Sequence, residues 1–206
     1  MSELLHNNLP AQPSSLIMVS RDIDPATINV DHITTLLEAA TLSAVDGAFR
    51  HGVDMPVGAA ASRDGELLAA NYAQDMLTHN PQAHAEYMTM QLAHQTHPGV
   101  SPDTIAVTLE PCKMCQNYLA EFSSLKIVAF ALPLASAALR KIVRPKESTV
   151  FERHQQDPLP YTVLQIGNQR LTRLGESLLD ATTRDIQTGA TSIDTGRLRR
   201  EIAGLL

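Results

Sequence analysis

Two short strings hold the residues whose types and spacing suit chemistry. The first is His84-Ala85-Glu86 and the second is Pro111-Cys112-Lys113-Met114-Cys115, which contains both cysteines of the chain. Cys112 and Cys115 stand three apart at the predicted start of a helix, so both sulfurs lie on one side of the first turn. The positive helix end and the free N–H groups there favour thiolate over thiol. Two thiolates can grip one zinc ion, but a tetrahedral site needs further ligands. His84 also opens a predicted helix, three residues after Pro81. If both helix starts face one point, His84, Cys112 and Cys115 supply three ligands. The fourth position is then left for water, the mark of a catalytic rather than a structural zinc. Glu86 lies two positions past His84, off that helical stripe, and can sit beside the metal without binding it. Zinc lowers the pKa of a bound water to about 7, and a neighbouring carboxylate can take the proton. That is equipment for hydrolytic attack on an electron-poor carbon.

The elements that must position these groups follow from periodicity and punctuation. Ile33, Leu36, Leu37, Ala40, Ala44 and Val45 recur at helical spacing, which predicts an amphipathic helix over 31–50 with Asp31 as its N-cap. Apolar runs at 56–61 and 66–72 flank Asp64-Gly65, the signal of a β-hairpin. Residues 75–81 read as loop, 83–94 as helix, 104–109 as a buried strand and 112–122 as helix. A second buried strand is predicted at 126–132, a short helix at 136–143 and a strand at 161–166. Helices at 169–187 and 194–206 follow, joined by a Gly/Thr/Ser linker. The stretch between Glu86 and Pro111 has room for a helix, a loop and one strand. It therefore returns the chain to the same end of the sheet. Alternation of this kind implies an α/β sheet sandwiched by helices, with parallel pairs after the first hairpin. We divide the chain into an N-terminal arm (1–30, with a short strand at 16–19), a zinc domain (31–168) and a helical C-terminal extension (169–206).

Composition narrows the class. The chain has 206 residues, of which 44% are hydrophobic and 18% charged, which fits one folded domain and not a disordered chain. Two cysteines are too few for a disulfide scaffold. The longest uncharged apolar run, 127–139, is too short to span a bilayer and is broken by Pro133. No signal peptide is evident, so a soluble cytoplasmic protein is expected. The net charge of −6 excludes a generally basic nucleic-acid coat. Charge is uneven, however. Residues 1–111 hold 3 basic and 13 acidic side chains, whereas 112–206 hold 13 and 9. The basic excess is densest at Arg140, Lys141, Arg144, Lys146 and Arg153, either a solvated face or a phosphate-contacting patch.

The order H-x-E then P-C-x-x-C is the signature of zinc nucleobase deaminases. With it, residues 31–132 resemble the cytidine deaminase-like superfamily of zinc hydrolases. Within it they are most similar to bacterial tRNA-specific adenosine deaminases and the related guanine and cytosine deaminases. Pro56-Val57-Gly58-Ala59-Ala60 resembles the first strand of that branch, 79–86 its loop and ligand helix start, and 108–115 its second motif. The resemblance implies a three-layer α/β/α fold, with a mixed five-stranded sheet and Zn2+ at the helix starts. It implies substrate contacts from Asn71 and from the backbone N–H of Ala85, with Glu86 catalytic. It also implies a homodimer. The chain departs from the branch in four ways. The stretch 71–84 is two residues longer than usual. Tyr118 and Glu121 are unexpected after the second motif. The strand end Phe130-Ala131-Leu132-Pro133 lacks a glycine. About 70 residues after Leu132 have no counterpart.

The activity expected from this is hydrolytic removal of the exocyclic amino group of a nucleobase, releasing ammonia. The substrate is a free base, a nucleoside or an adenosine in tRNA. Two other classes are compatible with these strings. One is a non-catalytic subunit that keeps zinc for folding, against which Glu86 argues, since a structural site has no use for that carboxylate. The other is a redox protein using Cys112 and Cys115 as a thiol pair.

Overall fold

A computed structural model describes residues 15–19, 25–51, 55–133 and 157–187. Its order is β1 (Ser15–Val19), a 3-10 turn (Pro25–Thr27), α1 (Val30–His51), β2 (Gly58–Arg63), β3 (Glu66–Tyr72) and α2 (Asp75–Thr78). Then follow α3 (Ala85–Thr96), β4 (Thr104–Leu109), α4 (Lys113–Ala120), β5 (Ile127–Leu132), β6 (Thr162–Gly167) and α5 (Gln169–Gln187). The strands form one mixed sheet in the order β1-β6-β5-β4-β2-β3. The β4–β5 and β5–β6 pairs are parallel, and the β2–β3, β2–β4 and β1–β6 pairs are antiparallel.

The five strands expected within 31–168 are all present, and the arm adds a sixth. β1 pairs antiparallel with β6, Ser15 opposite Gly167, and covers the edge that β6 would otherwise expose. The expected helix at 136–143, the basic patch at 140–153 and the helix at 194–206 lie outside the described residues.

The sheet buries both faces by strict alternation. Ala59, Ala61, Ile105, Val107, Val128 and Phe130 face α3 and α4, whose Ala85, Met90 and Leu119 close that core. Ala60, Ala106, Ala129, Leu164 and Ile166 face the other way, onto Ile33, Leu36, Leu37 and Ala40 of α1. Leu37 is fully buried, and burying such a side chain stabilises the fold by about 1.5–3 kcal/mol. One turn further on, Ala44, Val45 and Ala48 pack on Leu174 and Leu178 of α5.

Local chemistry sets the boundaries. Asp31 is not the cap of α1. Asn29 takes that role, its Oδ1 accepting the His32 N–H at 3.0 Å, and Asp31 falls in the first turn, where its charge suits the helix dipole. The two-residue turn between β2 and β3 has φ of 50° at Asp64 and 87° at Gly65, the two left-handed residues such a hairpin demands. Gly58 is required for a different reason. A Cβ there would lie 1.9 Å from the Ala40 carbonyl oxygen, so only glycine lets β2 approach α1 this closely. The segment expected as loop at 75–81 contains the short helix α2, ended by His79 at φ 51°.

Topology now explains why the two chemical strings meet. β3 and β4 both run antiparallel to β2, so they end at the same edge of the sheet. The chain leaves β3 through α2 into α3, and leaves β4 straight into α4. Both helices therefore begin at that edge, where ligands of open α/β sheets gather.

Candidate active site

His84 and Cys112 occupy equivalent positions. Each is the N-cap of its helix in extended backbone, with φ/ψ of −67°/160° and −67°/166°. Each carbonyl accepts the first intrahelical bond, from Met88 N–H at 3.0 Å and Gln116 N–H at 2.9 Å. Neither side chain caps its own helix, so both are free to face the cleft. The approach to His84 is held by Asn80, whose Oδ1 accepts the Gln82 N–H at 3.0 Å and whose carbonyl accepts the Ala83 N–H at 2.9 Å. The approach to Cys112 is held by Gln116, whose buried amide donates to the Pro111 carbonyl at 2.6 Å. The Tyr161 hydroxyl in turn donates to the Gln116 carbonyl at 3.1 Å.

The structure brings His84, Cys112 and Cys115 together, their ligand atoms all within 4.8 Å of one another. His84 Nδ1 lies 3.7 Å from Cys112 Sγ and 3.4 Å from Cys115 Sγ. With Zn–S near 2.3 Å and Zn–N near 2.0–2.1 Å, a tetrahedral corner separates nitrogen from sulfur by about 3.6 Å. The two nitrogen–sulfur separations thus already match the spacing one zinc ion requires.

Their electrostatics point the same way. The hydrogen bond with Cys115, followed by that with His84, lowers the Cys112 thiol to about 4 against the opposing effect of burial. The hydrogen bond to Cys112 and then burial hold the Cys115 thiol far above its ordinary range. A divalent cation bound between the two sulfurs would favour the thiolate form of both. The hydrogen bond to Cys112 also raises His84 above its usual value, over the contrary effect of burial.

Glu86 follows in the first turn of α3 and is 4% exposed. Burial pushes its carboxyl up, the Cys112 charge adds to the rise, and its own backbone N–H works against it. It lies outside the ligand cluster but shares with His84, Ala85 and Cys112 the wall of a cavity of about 250 Å³. Sites for drug-sized ligands run to roughly 300–1,000 Å³, so this one suits a single heterocycle.

The remaining lining residues are Met55, Val57, Ala73, Asp75, Leu109 and Glu110. Sequence reasoning did not single these out, although Ala73, Asp75 and Glu110 lie just past the ends of β3 and β4. The rule that sites gather at strand ends would have flagged them. Ala85 is buried in the wall, and its N–H, in the first turn of α3, has no partner among the described residues. Asn71 is not among the lining residues. It stands opposite Ala59 in β3, and its Oδ1 accepts from Tyr72 N–H and the Gln74 amide, each at 2.9 Å. Tyr118 lies between Tyr87 and Phe122, tilted to the first and edge-on to the second at centroid distances of 4.9 and 5.2 Å, and packs against the core. Glu121 is exposed at the end of α4. Neither lines the cavity.

Comparison with known proteins agrees with this geometry. The chain is 36% identical over 107 residues to tRNA(Ile)-lysidine synthase of Thermus thermophilus, which is 52% of this chain and 20% of that enzyme. It therefore spans about a fifth of the length of the curated relatives it matches. Among solved structures it resembles guanine deaminase from Nitrosomonas europaea with a TM-score of 0.52 and 18% identity, covering 89% of this chain and 98% of that one. It also resembles a diaminohydroxyphosphoribosylaminopyrimidine deaminase/5-amino-6-(5-phosphoribosylamino)uracil reductase from Thermotoga maritima (TM-score 0.50, 21% identity, 77% and 43% covered). At these identities the likeness is one of fold. Residues 31–131 match the family model for the cytidine and deoxycytidylate deaminase zinc-binding region, whose metal suits the His/Cys/Cys cluster.

Proposed function

We propose that this protein is a zinc-dependent hydrolase that replaces the exocyclic amino group of a nucleobase with oxygen and releases ammonia. The observation that carries the reading is Glu86, a buried carboxyl in the cavity wall beside the metal cluster yet outside it. His84, Cys112 and Cys115 would hold the ion. Zinc, when bound, supplies the Lewis acidity that brings the pKa of a water down to about 7.

The chain's own groups account for the rest. Burial raises the Glu86 carboxyl above its ordinary value, the direction that suits a group that must both take and give a proton. Glu86 removes a proton from the attacking water and holds it on a carboxyl oxygen. It delivers that proton to the ring nitrogen beside the amino-bearing carbon. The second water proton then goes through the same carboxyl to the amino nitrogen, which leaves as ammonia. The Ala85 N–H holds one edge of the base. Leu109, Val57 and Met55 exclude bulk water from the ring.

The substrate is a base, a nucleoside or a tRNA adenosine. The partial likeness to a synthase named for tRNA supports the last, and the heterocycle-sized cavity supports the first. The reading includes a homodimer, which the molar mass in solution tests. The function is tested by measuring ammonia release from free bases, nucleosides, nucleotides and tRNA. The expected result is turnover of at least one class by the zinc-loaded protein and none by Glu86→Gln. Equal release by both proteins, or zinc-loaded protein inert on every class, contradicts it.

A further inference from the structure

The longer stretch 71–84, one of the chain's departures from the deaminase branch, builds α2, a helix of four residues with no buried side chain. A helix of that length is not stable in water by itself, and no buried side chain ties it to the core. Its flanks are fixed instead. Ala73 is 6% exposed and donates its N–H to the Val57 carbonyl at 2.9 Å, and Ala83 is 1% exposed. The Gln74 N–H closes the loop by donating to the Ala83 carbonyl at 2.7 Å. Residues 75–82 thus form a flap with a fixed base. Segments with few buried contacts open at the lowest free energy, and moving lids are drawn from them. Gln74 and His79, at the two ends of α2, both lie outside helical backbone, which gives the flap two points at which to pivot.

The flap carries apolar side chains into solvent. Met76, at 57%, is the most exposed large hydrophobic residue among the described residues, and Leu77 beside it is 44% exposed. Asp75, which precedes them, belongs to the cavity wall. The flap is therefore rooted at the cavity, and its two apolar side chains follow the wall by one and two residues without lining it. A planar heterocycle seated there offers them a matching surface. Methionine is unbranched, and its polarisable sulfur packs well on aromatic rings. A lid over the ring also keeps bulk water from the reacting carbon. Resting on the deaminase reading above for the nature of the ring, we infer that residues 75–82 are a lid that closes on the bound base, and that Met76 and Leu77 are its contact residues, buried against the ring only in the closed state.

Both side chains are exposed in the free protein, so replacing them should cost binding and leave stability alone. Hydrogen exchange is compared by mass spectrometry in zinc-loaded protein alone and saturated with purine or with pyrimidin-2-one, rings of two sizes that lack the amino group. Amides of 75–82 should slow by at least about ten-fold on saturation, while those of β4 and β5 stay as they were. Met76→Ser, Leu77→Ser and the double variant are then compared with wild type in Kd for the same rings and in kcat/KM for ammonia release. Full burial of such a side chain is worth a factor on the order of ten to a hundred, and partial burial under a lid should cost each single variant about ten-fold in both. Zinc content, melting temperature and molar mass should not change. Exchange at 75–82 that is the same with and without bound ring overturns the lid and, where ammonia is released, leaves the deaminase reading intact. Variants within about two-fold of wild type in Kd and kcat/KM overturn it as well. So does a variant of altered molar mass, which assigns the two side chains to a subunit contact, and so does zinc-loaded protein that binds neither ring. A flap protected by bound ring in a protein that releases ammonia from no class of substrate sustains the lid and overturns the deaminase reading.

Discussion

Replacing Glu86 by glutamine exchanges one carboxyl oxygen for an amide nitrogen and isolates the chemistry of the site from its architecture. The side chain is 4% exposed, so bulk water has little access to stand in for the missing acid. Positioned acid–base groups contribute roughly 10²–10⁴-fold each, and here one carboxyl serves both the attack and the departure of the amine. The expected loss in kcat is therefore at least about 10³-fold, with KM within a few-fold, since glutamine keeps the shape of the wall. Zinc content should stay at one per chain, because His84, Cys112 and Cys115 form the cluster without Glu86. Thermal stability should hold or rise, because an uncharged amide escapes the burial that opposes ionisation of the carboxyl. The assay is coupled ammonia release at saturating substrate, paired with metal analysis and a melting curve. A variant with more than about a tenth of wild-type kcat would refute the shuttle, given what such groups normally contribute. So would a variant that loses its zinc, because Glu86 would then be a ligand.

Three further outcomes follow from named contacts. Cys115→Ser should weaken zinc binding by more than the ~10–100-fold typical of losing an outer-shell partner, measured by competition with a chelator. Gln116→Leu should leave the Pro111 carbonyl, an acceptor at 2.6 Å, without that donor. A stability loss of about 1–3 kcal/mol and a roughly ten-fold fall in zinc affinity are expected, with Glu86 chemistry otherwise unchanged. Gly58→Ala should destabilise by at least ~2 kcal/mol in denaturant unfolding, because its methyl meets the Ala40 carbonyl of a packed helix. An unperturbed variant would mean that β2 and α1 separate easily.

The metal cluster was legible because its cause is local. Each ligand string opens a helix, and the intervening length fixes how the chain returns to the same edge of the sheet. The hairpin at Asp64-Gly65 and the apolar stripe of Ile33, Leu36, Leu37 and Ala40 were legible for the same reason. Asn29 was hidden because two capping residues stand close together and backbone geometry chooses between them. The pairing of β1 with β6 joins residues some 150 apart, and no local pattern encodes such a partner. In the sequence Asp75 falls in a stretch with only loop signals. It reaches the cavity only because α2 folds back, with the Gln74 N–H bonding the Ala83 carbonyl at 2.7 Å and the Asn80 N–H bonding the Asp75 carbonyl at 3.1 Å. Gln116 carries no signal of its own in the sequence, because its bond to the Pro111 carbonyl exists only once the start of α4 has formed.

Zinc-edge X-ray absorption on the purified protein tests the central claim most directly, because it reads the ligand shell itself. The account predicts two sulfurs near 2.3 Å, one imidazole nitrogen and one further light atom, with the imidazole lost in His84→Ala. A shell without imidazole, a shell closed by four protein ligands, or a protein that takes up no zinc would contradict it.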